Sequence, residues 1–291
     1  MRRQFKDTCL SLAEKDERVV LVFGDLSVYL FKEFSERFPE RFLNLGILEQ
    51  TMISAGAGLA ATGLIPFVHS ITPFLVERAY EQIKLDLCYN EFGVNLVSTG
   101  ASFDYTWDGP SHHCYTDLAL LRLLPGMEVT QPGTPQELDT LLCSQYANGK
   151  PSYFRMSDHC HGFDFSIEFG KGVVVRHSAG KGGPTVVTAG PILKNVVEAC
   201  TDLSVNILYF STIKPIDQKL LQHYAQGPLV VVHDAFGLFE AVNEAVPQAT
   251  IYPVTMQDRF VQSYGTVHDA HQDLGFDTYS IQRFVKETCS V

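Results

Sequence analysis

Two α/β units, each built on a doubly wound sheet of mostly parallel strands, are predicted by three observations. Short continuous apolar runs, of the kind that strands buried on both faces require, recur along the whole chain. Segments of helical rhythm alternate with them. A looser stretch near residue 170 separates a longer first set from a shorter second one.

In chain order, Phe5, Cys9, Leu10, Leu12 and Ala13 place a helix over 3–15, and Val19-Val20-Leu21-Val22-Phe23 reads as the first buried strand. Further strands are expected at Ile65 to Val68, Val94 to Ser98, Met127 to Gln131 and Ser152 to Arg155, with helices over about 74–90 and 134–147 between them. Residues 158–183 loosen into His, Gly, Lys and Ser, interrupted by the strand-like Gly172 to Arg176. The expected division is therefore 1–165, a linker region 166–183 that includes one edge strand, and 184–291. In the last part, strands at 185–188, 205–209, 229–232 and 251–254 alternate with helices from Leu193, after Pro215 and from Phe236.

Composition excludes several classes of function. The 291 residues are 45% hydrophobic and 19% charged, which is the balance of a soluble globular protein. A formal charge of −11, with no basic cluster longer than Arg2-Arg3, argues against a nucleic-acid partner. No apolar stretch is long enough for a membrane helix, and the charged N-terminus does not resemble a signal peptide, so a cytoplasmic protein is expected. Seven cysteines without a Cys-x-x-Cys pair suit free thiols in a reducing compartment. His159-Cys160-His161 brings metal-ligand residue types together, but neighbours in sequence seldom converge on one ion, so these three are read as a solvated loop with no metal.

The most informative stretch is Asn44 to Gly63. A turn-prone Asn-Leu-Gly leads to one carboxylate, Glu49, where a helix should begin, followed by the small residues Ala55-Gly56-Ala57-Gly58 and Ala60-Ala61. Glycine weakens an isolated helix by roughly 1 kcal/mol against alanine, so this helix needs a partner that comes close. The other stretch that carries chemistry is Thr99 to Thr116, which has neither helical nor strand periodicity and holds the single tryptophan and the adjacent His112 and His113. Long irregular segments inside a compact domain are usually functional.

These two stretches carry a family resemblance. Gly46-Ile47-Leu48-Glu49-Gln50 resembles the pyrimidine-binding signature of transketolase-like, thiamine diphosphate-dependent enzymes, and Asp108-Gly109-Pro110-Ser111-His112 resembles the Asp-Gly-Pro-Thr-His motif of transketolases and deoxyxylulose-phosphate synthases. Phe74-Leu75 with Arg78-Ala79-Tyr80-Glu81-Gln82 is similar to a segment of the same synthases, with one extra residue here. Leu123 to Met127, Pro151 to Arg155, Val187 to Gly190, Lys214 to Asp217 and Asp258 to Val261 follow in the family's order, so the resemblance covers nearly the whole chain.

What the resemblance implies is a pyrimidine-binding fold followed by a smaller transketolase C-terminal-like domain. Glu49 is implied as the glutamate that hydrogen-bonds the cofactor's aminopyrimidine and so activates it, which requires a carboxyl that is neutral part of the time. Gly46, Ile47, Leu48 and the Ala/Gly run are expected to leave it few polar neighbours. Phe74 and Tyr80 are implied as cofactor-binding side chains; His112, Asp108, His69 and Arg155 are candidates to bind substrate, and His112 also to act in catalysis. His113 and Cys114 are read as bystanders, and His233-Asp234 as the end of a strand rather than a site.

The Gly-Asp-Gly…Asn motif that holds the diphosphate and its cation in longer transketolases is missing; Gly24-Asp25-Leu26 is the nearest string. A diphosphate needs a divalent cation, so a second polypeptide is implied to hold it with Mg²⁺ or Ca²⁺, in an α2β2 assembly with the cofactor at the interface. The expected activity is transfer of a two-carbon ketol unit between sugars. Two departures bear on the substrate: Gly100 and Asp158 stand where sugar-phosphate transketolases have a histidine and an arginine, which points to an unphosphorylated or amine-bearing substrate, or to a phosphate held by Arg78, Arg155 or the partner. The alternatives are acyl transfer from a 2-oxo acid, as in the synthases or the dehydrogenase beta subunits, and a non-catalytic or regulatory paralogue.

Overall fold

The computed structural model describes residues 1–262 and 264–289. Its first half runs α1 (Arg2–Lys15), β1 (Val19–Phe23), α2 (Lys32–Arg37), β2 (Phe42–Asn44), α3 (Glu49–Ala61), β3 (Ile65–Ile71), α4 (Thr72–Val76), α5 (Tyr80–Gln82), β4 (Asn95–Thr99), α6 (Asp117–Arg122), β5 (Glu128–Thr130), α7 (Pro135–Gln145) and β6 (Ser152–Arg155). Its second half runs β7 (Gly172–Arg176), β8 (Thr185–Ala189), α8 (Leu193–Ala199), β9 (Asn206–Phe210), β10 (Thr212–Lys214), α9 (Gln218–Tyr224), β11 (Leu229–Val232), α10 (Leu238–Ala245), β12 (Ile251–Val254), α11 (Val267–Leu274) and α12 (Thr278–Cys289).

Two sheets result, as a mixed α/β protein requires. The first has the order β10-β5-β6-β4-β3-β1-β2 and the second β12-β11-β8-β9-β7. Among the described residues, the named strands pair in parallel except at the two edges, β10 with β5 and β7 with β9. Strands β1, β4, β5, β6, β8, β9 and β11 are buried along their whole length, which accounts for their continuous apolar runs. One apolar core extends from Val22, Val68 and Tyr153 of the first sheet to Val187, Leu208 and Val231 of the second, and each sheet has a further core on its other face.

Three local features depart from expectation. Strand β10, from the second half of the chain, adds to the edge of the first sheet, so the two halves interlock rather than merely follow one another. The helix expected over 74–90 is broken into α4, α5 and a π-helical stretch, Ile83–Tyr89. The Arg78 amide donates to the Pro73 carbonyl across five residues, a π-type turn that absorbs one residue more than an α-helix would hold. His161, expected in a solvated loop, is buried against Tyr209 and bonded through Nε2 to Glu137, whereas His159 and Cys160 are exposed. Among the described residues no group of three or more His, Cys, Asp or Glu side chains is arranged to hold a metal, and no helix is long and apolar enough to cross a membrane.

Candidate active site

The site is built where the chain leaves β2 and enters α3. Gly46 takes a positive φ of 73°, a turn that a side chain would strain, and brings Leu48 to the start of the helix. Helix α3 then lies close on the sheet: a Cβ on Gly56 would sit 3.0 Å from Val68 Cγ2, so the small-residue run meets β3, while Gly58 on the opposite face has nothing within 4 Å.

Glu49, the first residue of α3, is 1% exposed, yet it does not lack polar neighbours as expected. Oε1 accepts from the Ser70 hydroxyl at 3.0 Å, and Oε2 accepts from Arg78 Nη1 at 2.8 Å. The expectation of an apolar surrounding fails because the π-type turn after α4 swings Arg78 back toward α3, and because the next-to-last residue of β3 is Ser70. The Arg78 guanidinium, 39% exposed, also lies 4.3 Å over the Phe74 ring. The half-buried Phe74 ring in turn meets the His112 ring edge-on at 5.1 Å, and Tyr105 approaches His112 at 6.4 Å. Ser111 Oγ lies 3.0 Å from His112 Nδ1, which leaves Nε2 unengaged by the described residues. Glu49, Arg78, Phe74 and His112 therefore form one continuous cluster, beside the exposed Ile47 (65%) and Leu48 (52%).

The other predicted residues lie outside this chain of contacts. Asp108 is exposed at the end of a short 3₁₀ turn in the same loop, and the next residue, Gly109, has φ 75° with the Tyr264 ring packed on it. His69 is fully buried between Phe5 and Phe23, with Nδ1 donating to the Val97 carbonyl and Nε2 accepting from Ser27. Burial pushes its pKa down to about 4. Tyr80 donates to the Leu120 carbonyl and lines a separate groove with Cys88 and Leu123.

Arg155 is completely buried. It binds both Asp117 oxygens, at 2.7 and 3.1 Å, and donates to the Cys114 carbonyl and to Ser102. Tyr153 donates a further 2.6 Å bond to Asp117. Burial works to lower the Arg155 pKa, but the Asp117 carboxylate overrides it and holds it above the ordinary value. His113 is tied to the Thr106 carbonyl and Cys114 to Glu77, so both hold the loop in shape. Sequence reasoning did not single out Ser70 and Asp117; a serine at a strand end and an aspartate at a helix start are too common to signal a partner across the fold.

Chemically, the cluster offers a buried carboxylate, an aromatic face and an imidazole nitrogen on one side of the molecule. Such a set can bind a flat ring through stacking and one hydrogen bond, and can exchange a proton with an oxygen atom beside it.

Comparison with known proteins agrees with this architecture. The family described as transketolase, pyrimidine binding domain, matches residues 1–159. The chain is 30% identical to a putative transketolase C-terminal section of Methanocaldococcus jannaschii, covering 99% of this chain and 95% of that protein. It is 26% identical to a 6-deoxy-6-sulfo-D-fructose transketolase subunit of a Clostridium species, covering 98% and 89%. Among solved structures, a split gene transketolase in the form of an inactive beta4 tetramer superposes with a TM-score of 0.86 at 26% identity, covering 99% of this chain and 97% of that one. With a pyrimidine-binding region in its first half and relatives alike along their full length, the chain belongs to the transketolase family, whose members depend on thiamine diphosphate.

Proposed function

We propose that this chain is the pyrimidine-binding and C-terminal subunit of a split transketolase that moves a two-carbon ketol unit between sugars in the cytoplasm. A second subunit would hold the diphosphate and its Mg²⁺ or Ca²⁺, and two copies of each would form an α2β2 assembly with the cofactor at the interface. The observation that carries this reading is Glu49, buried at the start of α3 and joined through Arg78 and Phe74 to His112, beside side chains as apolar and exposed as Ile47 and Leu48. A buried carboxylate next to a half-buried aromatic ring is the donor set that an aminopyrimidine needs, so the residues present fit the cofactor. Within this reading, 1–165 is the pyrimidine-binding domain, 166–183 the linker region and 184–291 the C-terminal domain.

Thiamine diphosphate, when bound, supplies the carbon nucleophile and the electron sink for ketol transfer. The protein's part is to place and activate it. Glu49 would bind the pyrimidine ring nitrogen, and Phe74 would stack on the ring. Arg78 now covers Phe74 and occupies Glu49 Oε2, so it must swing outward first, which its exposure permits. His112 would hydrogen-bond the carbonyl or hydroxyl oxygens of the sugar, with Asp108 at the mouth of the loop.

Of the two arginines that were candidates for a substrate phosphate, Arg155 is consumed by Asp117, whereas Arg78 becomes free once it swings away from Glu49. Gly100 and Asp158, where sugar-phosphate transketolases have a histidine and an arginine, favour an unphosphorylated or amine-bearing sugar, or a phosphate held by Arg78 or the partner. Turnover of ordinary sugar phosphates with micromolar Michaelis constants would sink the preference for an unphosphorylated or amine-bearing sugar. The Phe74 to Gln82 resemblance to synthases favours acyl transfer from a 2-oxo acid as the second reading; release of carbon dioxide from a 2-oxo acid by the assembled enzyme separates the two.

The deciding experiment is calorimetric titration of thiamine diphosphate with Mg²⁺ into this chain, alone and mixed with a diphosphate-domain subunit. Binding only in the mixture, with ketol transfer that Glu49→Gln abolishes, supports the reading. A folded mixture that binds nothing and transfers nothing would overturn it in favour of a non-catalytic paralogue.

A further inference from the structure

A second polar cavity, of about 300 Å³, opens between the two sheets. Its walls are the segments at the carboxyl ends of β4, β5 and β6 in the first sheet and of β8 and β11 in the second, closed on one side by helix α11. Strand β8 lies between β9 and β11, so the chain reverses direction across the second sheet between β8 and β11. Crevices at the carboxyl ends of strands, where such a reversal occurs, are where open α/β sheets bind ligands. The Thr99–Thr116 loop has two faces: His112 meets Phe74, while residues 101–104 line this cavity.

An audit of hydrogen-bonding groups separates the two walls. On the first wall donors remain. Ser102 accepts from both terminal nitrogens of Arg155, so its own hydroxyl proton is free. Arg155 Nη1 spends one N–H on Ser102 and keeps the other. His233 donates through Nδ1 to the Ala235 carbonyl and burial keeps its ring neutral, so its Nε2 accepts an N–H from the Gln131 amide, which leaves Gln131 one further N–H and its carbonyl. Ser102 is held at φ 48°, unusual for a non-glycine residue and common where a side chain must be aimed. Asp104 lies on the same wall, but its oxygens already take the Ala101 and Asp158 amides and the Ser157 hydroxyl.

On the second wall, inside a rim that carries the exposed Lys194 and His268, acceptors remain. Asn195 uses its amide nitrogen on Phe276 and His271, so its oxygen is free. Asp234 has one oxygen on His271, at 3.3 Å, and one without a partner among the described residues. Burial would raise the Asp234 pKa, but the His271 hydrogen bond and the neighbouring positive charges hold it well below the carboxylate range, so it is charged.

We propose that this cavity binds a small zwitterion of the amino-acid class, its carboxylate held by Ser102, Arg155 and Gln131 and its ammonium by Asp234 and Asn195. A phosphate dianion would face the carboxylates of Asp104 and Asp234. A neutral polyol would leave the Asp234 charge with His271 alone. A zwitterion satisfies both walls, and the cavity has room for one such molecule. The site spans both sheets and touches the loop that carries His112, so its occupant would fix the two halves and that loop together.

The test uses the full chain. Each of the common L-amino acids is screened by thermal shift, and any that raises the melting temperature is titrated calorimetrically beside its N-acetyl derivative and its decarboxylated amine. Expected is at least one amino acid with a dissociation constant below about 1 mM, with both analogues about tenfold weaker or worse, and a similar loss in Asp234→Asn and in Ser102→Ala. No binding by any amino acid at about 5 mM, or an N-acetyl derivative that binds as well as its parent, overturns the proposal. If Asp234→Asn does not fold, the Ser102→Ala variant and the two analogues on the unaltered chain decide it. None of these readouts involves thiamine diphosphate, so their outcome is independent of the ketol-transfer reading.

Discussion

Glu49 is where one atom's surroundings decide most. Its carboxylate is enclosed, bonded to Ser70 and paired with Arg78, and removing its charge while keeping its shape tests it cleanly. Under the proposed split-transketolase reading, Glu49→Gln is expected to lower ketol transfer by the assembled subunits by about 100-fold or more with an unchanged far-ultraviolet circular dichroism spectrum. Arg155 and Asp117 pose a different question. Both are fully buried, and each satisfies the other, so removal of one partner leaves an uncompensated charge. Asp117→Ala is expected to cost about 3–5 kcal/mol, read as a fall in the urea midpoint. Replacing an exposed pair such as Lys32 with Glu36 should change it by less than about 1 kcal/mol.

At the scale of the element, helix α3 carries two glycines with opposite roles. Gly56 faces β3, where a Cβ would already press on Val68 at 3.0 Å, whereas Gly58 faces open space. Gly56→Leu is expected to destabilise the protein by about 1–3 kcal/mol through overpacking. Gly58→Ala should stabilise it by up to about 1 kcal/mol, because only helix propensity changes. Equal effects in denaturant titrations would refute this account of how α3 lies on its sheet. The sequence showed that the run was small; only packing shows which of its residues has to be.

At the scale of the whole molecule, buried titratable groups make stability depend on pH. The pKa of His69 is about 4 in the fold and near 6.5 in the unfolded chain, so between these values the unfolded chain binds more protons. Its contribution is fully present above pH 6.5 and is lost as the pH falls toward 4, by about 3 kcal/mol at the extreme. Asp104 acts in the opposite sense. Burial raises its pKa to about 6 from the ordinary 3.8, so the fold binds the extra proton, and stability falls as the pH rises through that window. The two slopes oppose one another between pH 4 and 6. Asp104→Asn removes one of them, and its urea midpoint is expected to climb more steeply from pH 4.5 to 6 than that of the unaltered chain. A slope no steeper than that of the parent would refute the assignment.

By itself the sequence determined the α/β class and the positions of most strands, because buried parallel strands write continuous apolar runs. It also singled out as candidates Glu49, Phe74 and His112, which the structure places in one cluster, because glycine turns and loop motifs are local. It did not show that β10 crosses to the first sheet, that Arg78 reaches Glu49, that Arg155 is consumed by Asp117, or that Asp234 belongs to a cavity rather than merely ending a strand. Those facts depend on pairs of residues far apart in the chain. A lone serine, arginine or aspartate carries no mark of its partner, and only the packed structure, in which burial forces every charge and hydrogen-bonding group to be satisfied, assigns one.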